Sequence, residues 1–364
     1  MMLIAMVTFC NLLVVLAVSF TPYVTRKTEL FGVSMPSSQN GLPELRKMRR
    51  SFLCWSLIFG AVMSFLSVAA IQFLSEFWSM VVYTSLIFVY LFAYFFLYLF
   101  YHKKMKLFKS NQDWSSSEAS LVVDINPGKD TFSPAWLLTY PVIAAATIFA
   151  TYLIWPLVPD KIPMNYDMAG NAVSWAQKNW KTALFMLVFQ WFTMLVFAVA
   201  YIVPRIAKRQ IDAANPETSR KQGKQFRRVM SGSLVFGGMV MGIFFGACQI
   251  MMLLAVNGTV AVWACLGLMF LVFLLMGFMM FKVGQGGSRV KASASSDHPG
   301  GNIDDDKYWK LGMFYYNKND PAVFVEKRFG IGYTNNWARP LSWILLIGLL
   351  VVTAGIVFVT FLLN

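Results

Sequence analysis

The chain has 364 residues, 57% of them hydrophobic, and a formal net charge of +14 with only two histidines and four cysteines. So apolar a composition excludes a disordered or ordinary water-soluble chain. Cys10, Cys54, Cys248 and Cys265 all fall in apolar stretches without disulfide, redox or metal spacing, so they read as packing residues.

A helix needs about 20 apolar residues to cross the hydrocarbon core of a bilayer. Such stretches lie at 1–20, 52–74, 78–101, 135–155, 182–204, 230–255, 260–281 and 341–363, the second and third being joined by a few residues around Glu76. The first lacks a basic lead and a small-residue cleavage site, and reads as a retained anchor rather than a signal peptide. Lys and Arg gather in alternate connections: 6 in 21–51, 5 in 102–134, 8 in 205–229 and 9 in 282–340, leaving only Lys161, Lys178 and Lys181 elsewhere. An excess of Lys and Arg marks cytoplasmic connections. Eight alternating spans then put both termini outside. The same pattern assigns the positive charge to the anionic inner leaflet, so no nucleic-acid partner is expected.

The expected fold class is therefore all-α: a polytopic membrane helical bundle of about eight transmembrane helices, with a small cytoplasmic module before the last. The chain divides into an N-terminal three-helix segment (1–134), a membrane domain with an outward loop (135–283), a linker (284–303), the cytoplasmic module (304–340) and the last helix (341–364).

In chain order, the first inner connection runs through Arg26, Phe31, Gly32 and Pro36 to the basic run Leu45–Arg50, a helix start at the membrane surface. The second contains the flexible tract Ser115–Ser117. The third, Arg205 to Arg228, extends neighbouring helices into the cytosol. Gly238, Gly242 and Gly246, four apart, form a smooth strip for close helix approach, either inside the bundle or against a second copy in a homo-oligomer. The module combines aromatics, turn residues around Asn317–Pro321 and the run Arg328–Gly332, and reads as a small hairpin element. Trp309, Tyr316, Asn317 and Arg328 are its candidate surface for a cytosolic regulatory protein; packing against the inner leaflet is the equal alternative. Glu29–Val33 and Lys327–Ile331 share a short Phe-Gly-aliphatic echo that chance explains as well as repetition does.

The outward segment 156–181 holds Pro156, Pro159 and Pro163, which make it stiff and non-helical. Gly170-Asn171 marks a turn, and Trp155, Trp175 and Trp180 suit the membrane interface. It reads either as a cap tying two spans together or as an ordered recognition loop.

The run Ile162-Pro163-Met164-Asn165-Tyr166-Asp167, with Gly170, Trp175 and Lys178, resembles the signature loop of a bacterial membrane-protein family that includes the SdpI immunity proteins. Those protect a producing cell from its own secreted killing peptide. The segment Asp306–Asn317, with Asp320-Pro321 and Arg328–Thr334, resembles an uncharacterised module often attached to that domain. The resemblance implies a bacterial cell membrane, immunity or envelope signalling, and an outside peptide met by Pro163, Asn165, Asp167, Gly170, Trp175 and Lys178. The family's usual histidine is Asn165 here, so no role needing an imidazole carries over.

Catalysis needs acids, bases, nucleophiles or ligands that converge. His102 lies at a membrane edge, His298 in the linker, and the outer loops hold only Glu76, Asp160 and Asp167. No catalytic residue, metal or cofactor is expected. Ion-coupled transport needs ionisable groups within the spans, and these are almost absent. Movement of a lipid or apolar peptide needs none, and stands as the alternative. Asn11, Gln72, Gln190 and Gln249 suit interhelical hydrogen bonds.

Overall fold

The computed structural model describes residues 2–112, 114, 130–166, 171–209, 216–290 and 305–363. It is mostly helical, in the order α1 (Met2–Ser19), α2 (Thr21–Val24), α3 (Pro43–Phe73), α4 (Glu76–Ser110), α5 (Thr139–Ile154), α6 (Trp180–Ala183), α7 (Phe185–Ile206), α8 (Pro216–Leu253), α9 (Gly258–Val283) and α10 (Pro340–Leu363). Among the described residues, five helical segments are long and apolar enough to cross a membrane: Pro43–Phe73, Phe77–Ser110, Pro134–Leu157, Trp180–Ile206 and Glu217–Leu253. Shorter apolar helices lie at Ile4–Ser19, Gly258–Val272 and Pro340–Gly355. Their outward sides carry exposed large residues such as Phe65, Phe92, Phe149 and Leu195, as lipid-facing helices require.

Two connections show how local chemistry sets the ends. Only Leu74 and Ser75 separate α3 from α4, and Pro141 falls in the first turn of α5, where its missing N–H costs nothing. Pro43 and Pro216 likewise open α3 and α8 at their first positions. Both helices begin well before their apolar stretches, so their Lys- and Arg-rich N-terminal parts project beyond the membrane-length part.

The strip Gly238, Gly242, Gly246 of α8 faces α5 and α7 within the chain. A Cβ at Gly242 would lie 2.8 Å from Met194 Sδ, one at Gly246 2.7 Å from Thr147 Oγ1, and one at Gly238 would overlap the Tyr140 hydroxyl. Small residues let these three helices close on one another. Buried Tyr140, Ala144 and Met194 form the adjoining core.

The remaining elements are antiparallel hairpins, each of two strands: β1 (Glu29–Leu30) with β2 (Val33–Ser34), β3 (Lys161–Tyr166) with β4 (Ala172–Gln177), β5 (Trp309–Lys310) with β6 (Phe314–Tyr315), and β7 (Phe324–Glu326) with β8 (Tyr333–Asn335). Hence 305–340 contains hairpins, and the Pro-rich segment after α5 contains one too. Three of the four hairpins gather at the basic ends of the helices. The β3–β4 hairpin sits at the other end.

Candidate functional site

At the basic end, β1–β2 turns through Phe31 (φ +47°) and Gly32 (φ +77°). Positive φ at both central residues is the hairpin turn that matches strand twist. Phenylalanine rarely accepts that conformation. Here its ring is fully buried, stacked 5.2 Å from Tyr101 and packed 5.2 Å from Phe52, which offsets the backbone cost. The β5–β6 tip repeats the device at Leu311 (φ +54°) and Gly312 (φ +70°).

The two tips meet. Tyr98 of α4 donates its hydroxyl to the carbonyl oxygens of both Phe31 (3.2 Å) and Leu311 (2.9 Å). His102 Nδ1 lies 2.8 Å from the Phe31 carbonyl oxygen; a carbonyl only accepts, so Nδ1 carries the proton. The third hairpin contributes Arg328 and Phe329 from its loop. Phe329 packs against Tyr98 (4.5 Å), Phe31 (6.1 Å) and Phe52 (6.3 Å). The two Phe-Gly segments of the sequence thus share one core.

Arg328 is the electrostatic centre. Its guanidinium pairs with Asp305 and Asp306, donates to the Gly32 carbonyl oxygen at 3.2 Å and stands over the Trp309 ring. Asp306 also takes Lys109 Nζ at 2.7 Å and the Ser34 backbone N–H at 3.2 Å. Burial pushes the Asp306 carboxyl up, but Arg328 and Lys109 more than offset it and hold it at about 2. Arg328 is raised: burial disfavours its charge, and Asp305, Glu29 and Asp306 outweigh that. Deeper still, Glu326 pairs with Arg26 and lies 3.7 Å from Arg227.

Asn336 ties the module to α10. Fully buried, it donates to the carbonyl oxygens of Asn317, Asp320 and Ala322 and accepts from the backbone N–H groups of Asn317 and Ala338. Asp320 accepts from Lys208 (2.7 Å) and Tyr315 (2.8 Å); these partners overcome the upward push of burial and leave its carboxyl below the usual range. Gln285, beyond α9, donates to the carbonyl oxygens of Lys327 and Gly332 and accepts from the Gly332 N–H.

Of the residues proposed for a cytosolic partner, Trp309 and Arg328 are therefore buried in contacts within the chain. Asn317 shapes the turn, accepting from the Asn319 N–H at 2.9 Å. Tyr316 is exposed, as are neighbouring Leu311 and Phe314. Tyr98, Glu29, Asp306 and Asn336 carry much of the site; Glu29 and Asp306 open segments noted in the sequence without a role, and Tyr98 and Asn336 had no local motif to announce them.

Glu29 has a testable consequence. Its buried carboxyl keeps an oxygen without a hydrogen-bond partner. Burial pushes it up to about 7, against the pull of Arg26 and Arg328. A carboxyl raised in the folded state costs nothing where both states are protonated. It costs stability as pH rises through 4.5 to about 7, on the order of 3 kcal/mol at pH 8. Glu29→Gln should therefore melt at the wild-type temperature near pH 4 and distinctly above it at pH 8. A pH-independent difference in thermal scans would contradict this.

At the opposite end, the β3–β4 hairpin pairs Lys161 with Gln177 and Pro163 with Trp175, with irregular register around Asn165. Its inner side is held by fully buried Ile162, which packs with Val158, Ala183, Met252 and Leu253 beneath the hairpin. Pro163 is buried, and lacking an N–H it tolerates the irregular strand. Asn165 donates to Ser174 Oγ at 2.7 Å on the exposed side. Lys178 donates to the Val158 carbonyl oxygen at 2.6 Å and lies over the Trp155 ring, itself stacked 4.2 Å from Trp180. Val173 and Trp175 stand out from the free face, 61% and 54% exposed. Asp167 and Gly170 lie outside the described residues. Among the described residues no group of three or more His, Cys, Asp or Glu side chains is placed to hold a metal.

A family model described as Domain of unknown function (DUF1648) matches residues 142–190, from α5 through the β3–β4 hairpin into α7. Another, described as Family of unknown function (DUF5808), matches residues 318–343, from Asn317's turn through Arg328 and Asn336 into α10. Neither description names the SdpI proteins. No curated protein and no solved structure matches the chain. The chain is a multi-pass membrane protein with segments similar to two domains of unknown function.

Proposed function

We propose that this is a non-enzymatic protein of the bacterial cell membrane, with eight spans and both termini outside, acting in immunity or envelope signalling as the SdpI-like resemblance implies. The charge asymmetry between the two helix ends supports the orientation, and α1, α9 and α10 supply the three further spans. The observation that carries the reading is the outer hairpin. One face is bolted to α8 through Ile162, and the other presents Val173 and Trp175 to the surroundings. A rigid strand pair with exposed apolar residues suits an extended or amphipathic peptide better than a small polar ligand. Pro163, Lys178 and the Trp155–Trp180 stack position that face; Asn165 and Trp175 meet the ligand. At the inner end, Tyr316, Leu311 and Phe314 offer a cytosolic protein an apolar surface.

The test places a photo-crosslinking amino acid at 173 or 175 in native membranes. Adducts with a secreted peptide or envelope protein are expected, and they should be lost when the crosslinker sits at buried position 162. Adducts with lipid alone would transfer the function to lipid or peptide movement, the second reading, which the exposed apolar residues Val173 and Trp175 also suit. That reading requires flux in proteoliposomes; immunity requires protection without it.

A further inference from the structure

Within the membrane-length part of the α5–α7–α8 bundle lie two glutamines that the outer hairpin and the inner module do not use. Gln190 of α7 and Gln249 of α8 are 1% and 0% exposed. Gln190 Nε2 donates to Thr147 Oγ1 (3.0 Å) and to the Gly242 carbonyl oxygen (2.8 Å). Gln249 Nε2 donates to Thr151 Oγ1 (2.6 Å).

The orientation of both amides follows from their partners. Thr147 gives its hydroxyl proton to the Ile143 carbonyl oxygen and Thr151 gives its own to that of Thr147. Each threonine is thereby only an acceptor towards its glutamine, so each glutamine must turn its NH₂ to the threonine. That fixes both Oε1 atoms as buried acceptors, and neither has a donor among the described residues. An unmet buried acceptor costs about 1–3 kcal/mol, and two in one apolar seam invite an external donor.

We infer that the seam between α5, α7 and α8 is a water-binding site, with bound water donating to Gln190 Oε1 and Gln249 Oε1. A larger ligand does not fit, because the glycine strip already brings the helices to contact at Gly242 and Gly246. A cation is disfavoured because no carboxylate of the described residues reaches the seam, and an uncompensated charge there is far costlier than an unpaired amide. Water needs only polar partners and little room.

Radiolytic hydroxyl labelling of the full chain in lipid nanodiscs, read by mass spectrometry, tests this. Met194, 1% exposed, is one helical turn from Gln190 and abuts Gly242; Met63, 4% exposed, packs with Val15 and Tyr90, away from the seam. Water held by the glutamines should label Met194 several-fold above Met63, and Gln190→Leu/Gln249→Leu should bring it down to the Met63 level. Equal labelling in the native protein overturns the inference without recourse to the variant. So does Met194 labelling that survives the double substitution, or labelling that changes when sodium replaces potassium, which would assign the seam to a cation.

Discussion

Arg328→Met is expected to release the C-terminal hairpins from the first connection and from α4, at a cost of about 3–5 kcal/mol, the range for removing one partner of a buried ion pair. Without the guanidinium, Asp305 and Asp306 face each other and Glu29 with the main neutralising charge removed, and the Gly32 carbonyl oxygen loses a donor. Arg328→Lys should recover little of this. A single ammonium cannot pair with Asp305 and Asp306, reach Gly32 and lie flat over Trp309 together. Hydrogen exchange gives the readout: amides of 29–34 and 309–315 should exchange much faster in both variants, while those of α7 and α8 stay slow. Unchanged protection of 29–34 would remove Arg328 from the centre of the site.

Gly32→Ala is expected to be as damaging although it adds one methyl group. A residue with a side chain at φ +77° carries about 1–2 kcal/mol of strain. The new Cβ would also meet the backbone of Gly312 and the Tyr98 hydroxyl, and the backbone cannot rotate away. The two hairpin tips would have to separate, breaking the Tyr98 bridge. Gly223→Ala is the matched control. It lies in the helical α8 with nothing within 4 Å of the added methyl, and should stabilise by up to about 1 kcal/mol. Thermal unfolding in detergent should therefore move in opposite directions for the two alanines. Parallel shifts would show that the tips do not bear on one another.

The helices were legible because lipid leaves a chain few alternatives: backbone polar groups must be satisfied within each span, so length and apolarity betray it. The alternation of charge was legible for a similar reason. The site at the basic helix ends was not. Arg328 reaches Gly32 across 296 positions, and Ser34 reaches Asp306 across 272. No window of sequence contains both partners. Asn336 makes its network through the backbone of two connections, which leaves no side-chain pattern to read. In the segment after α5 the three prolines announced stiffness and concealed the strands, because Pro163 stands where β3 is irregular. The glutamines of the seam were visible as polar residues in apolar stretches, but their threonine partners look like ordinary helix residues.

The joining of the first and last connections sets an order of assembly. A chain entering the membrane from its N-terminus presents Phe31, Phe52, Tyr98 and Tyr101 long before Phe329 and Arg328 exist to cover them. Contacts so distant in sequence close last, after the intervening helices are in place. The hairpin cluster at the basic helix ends is thus a latch that fastens only once its first and last contributors are both in place. An incomplete or misthreaded chain leaves the aromatic face of Phe31, Phe52, Tyr98 and Tyr101 uncovered.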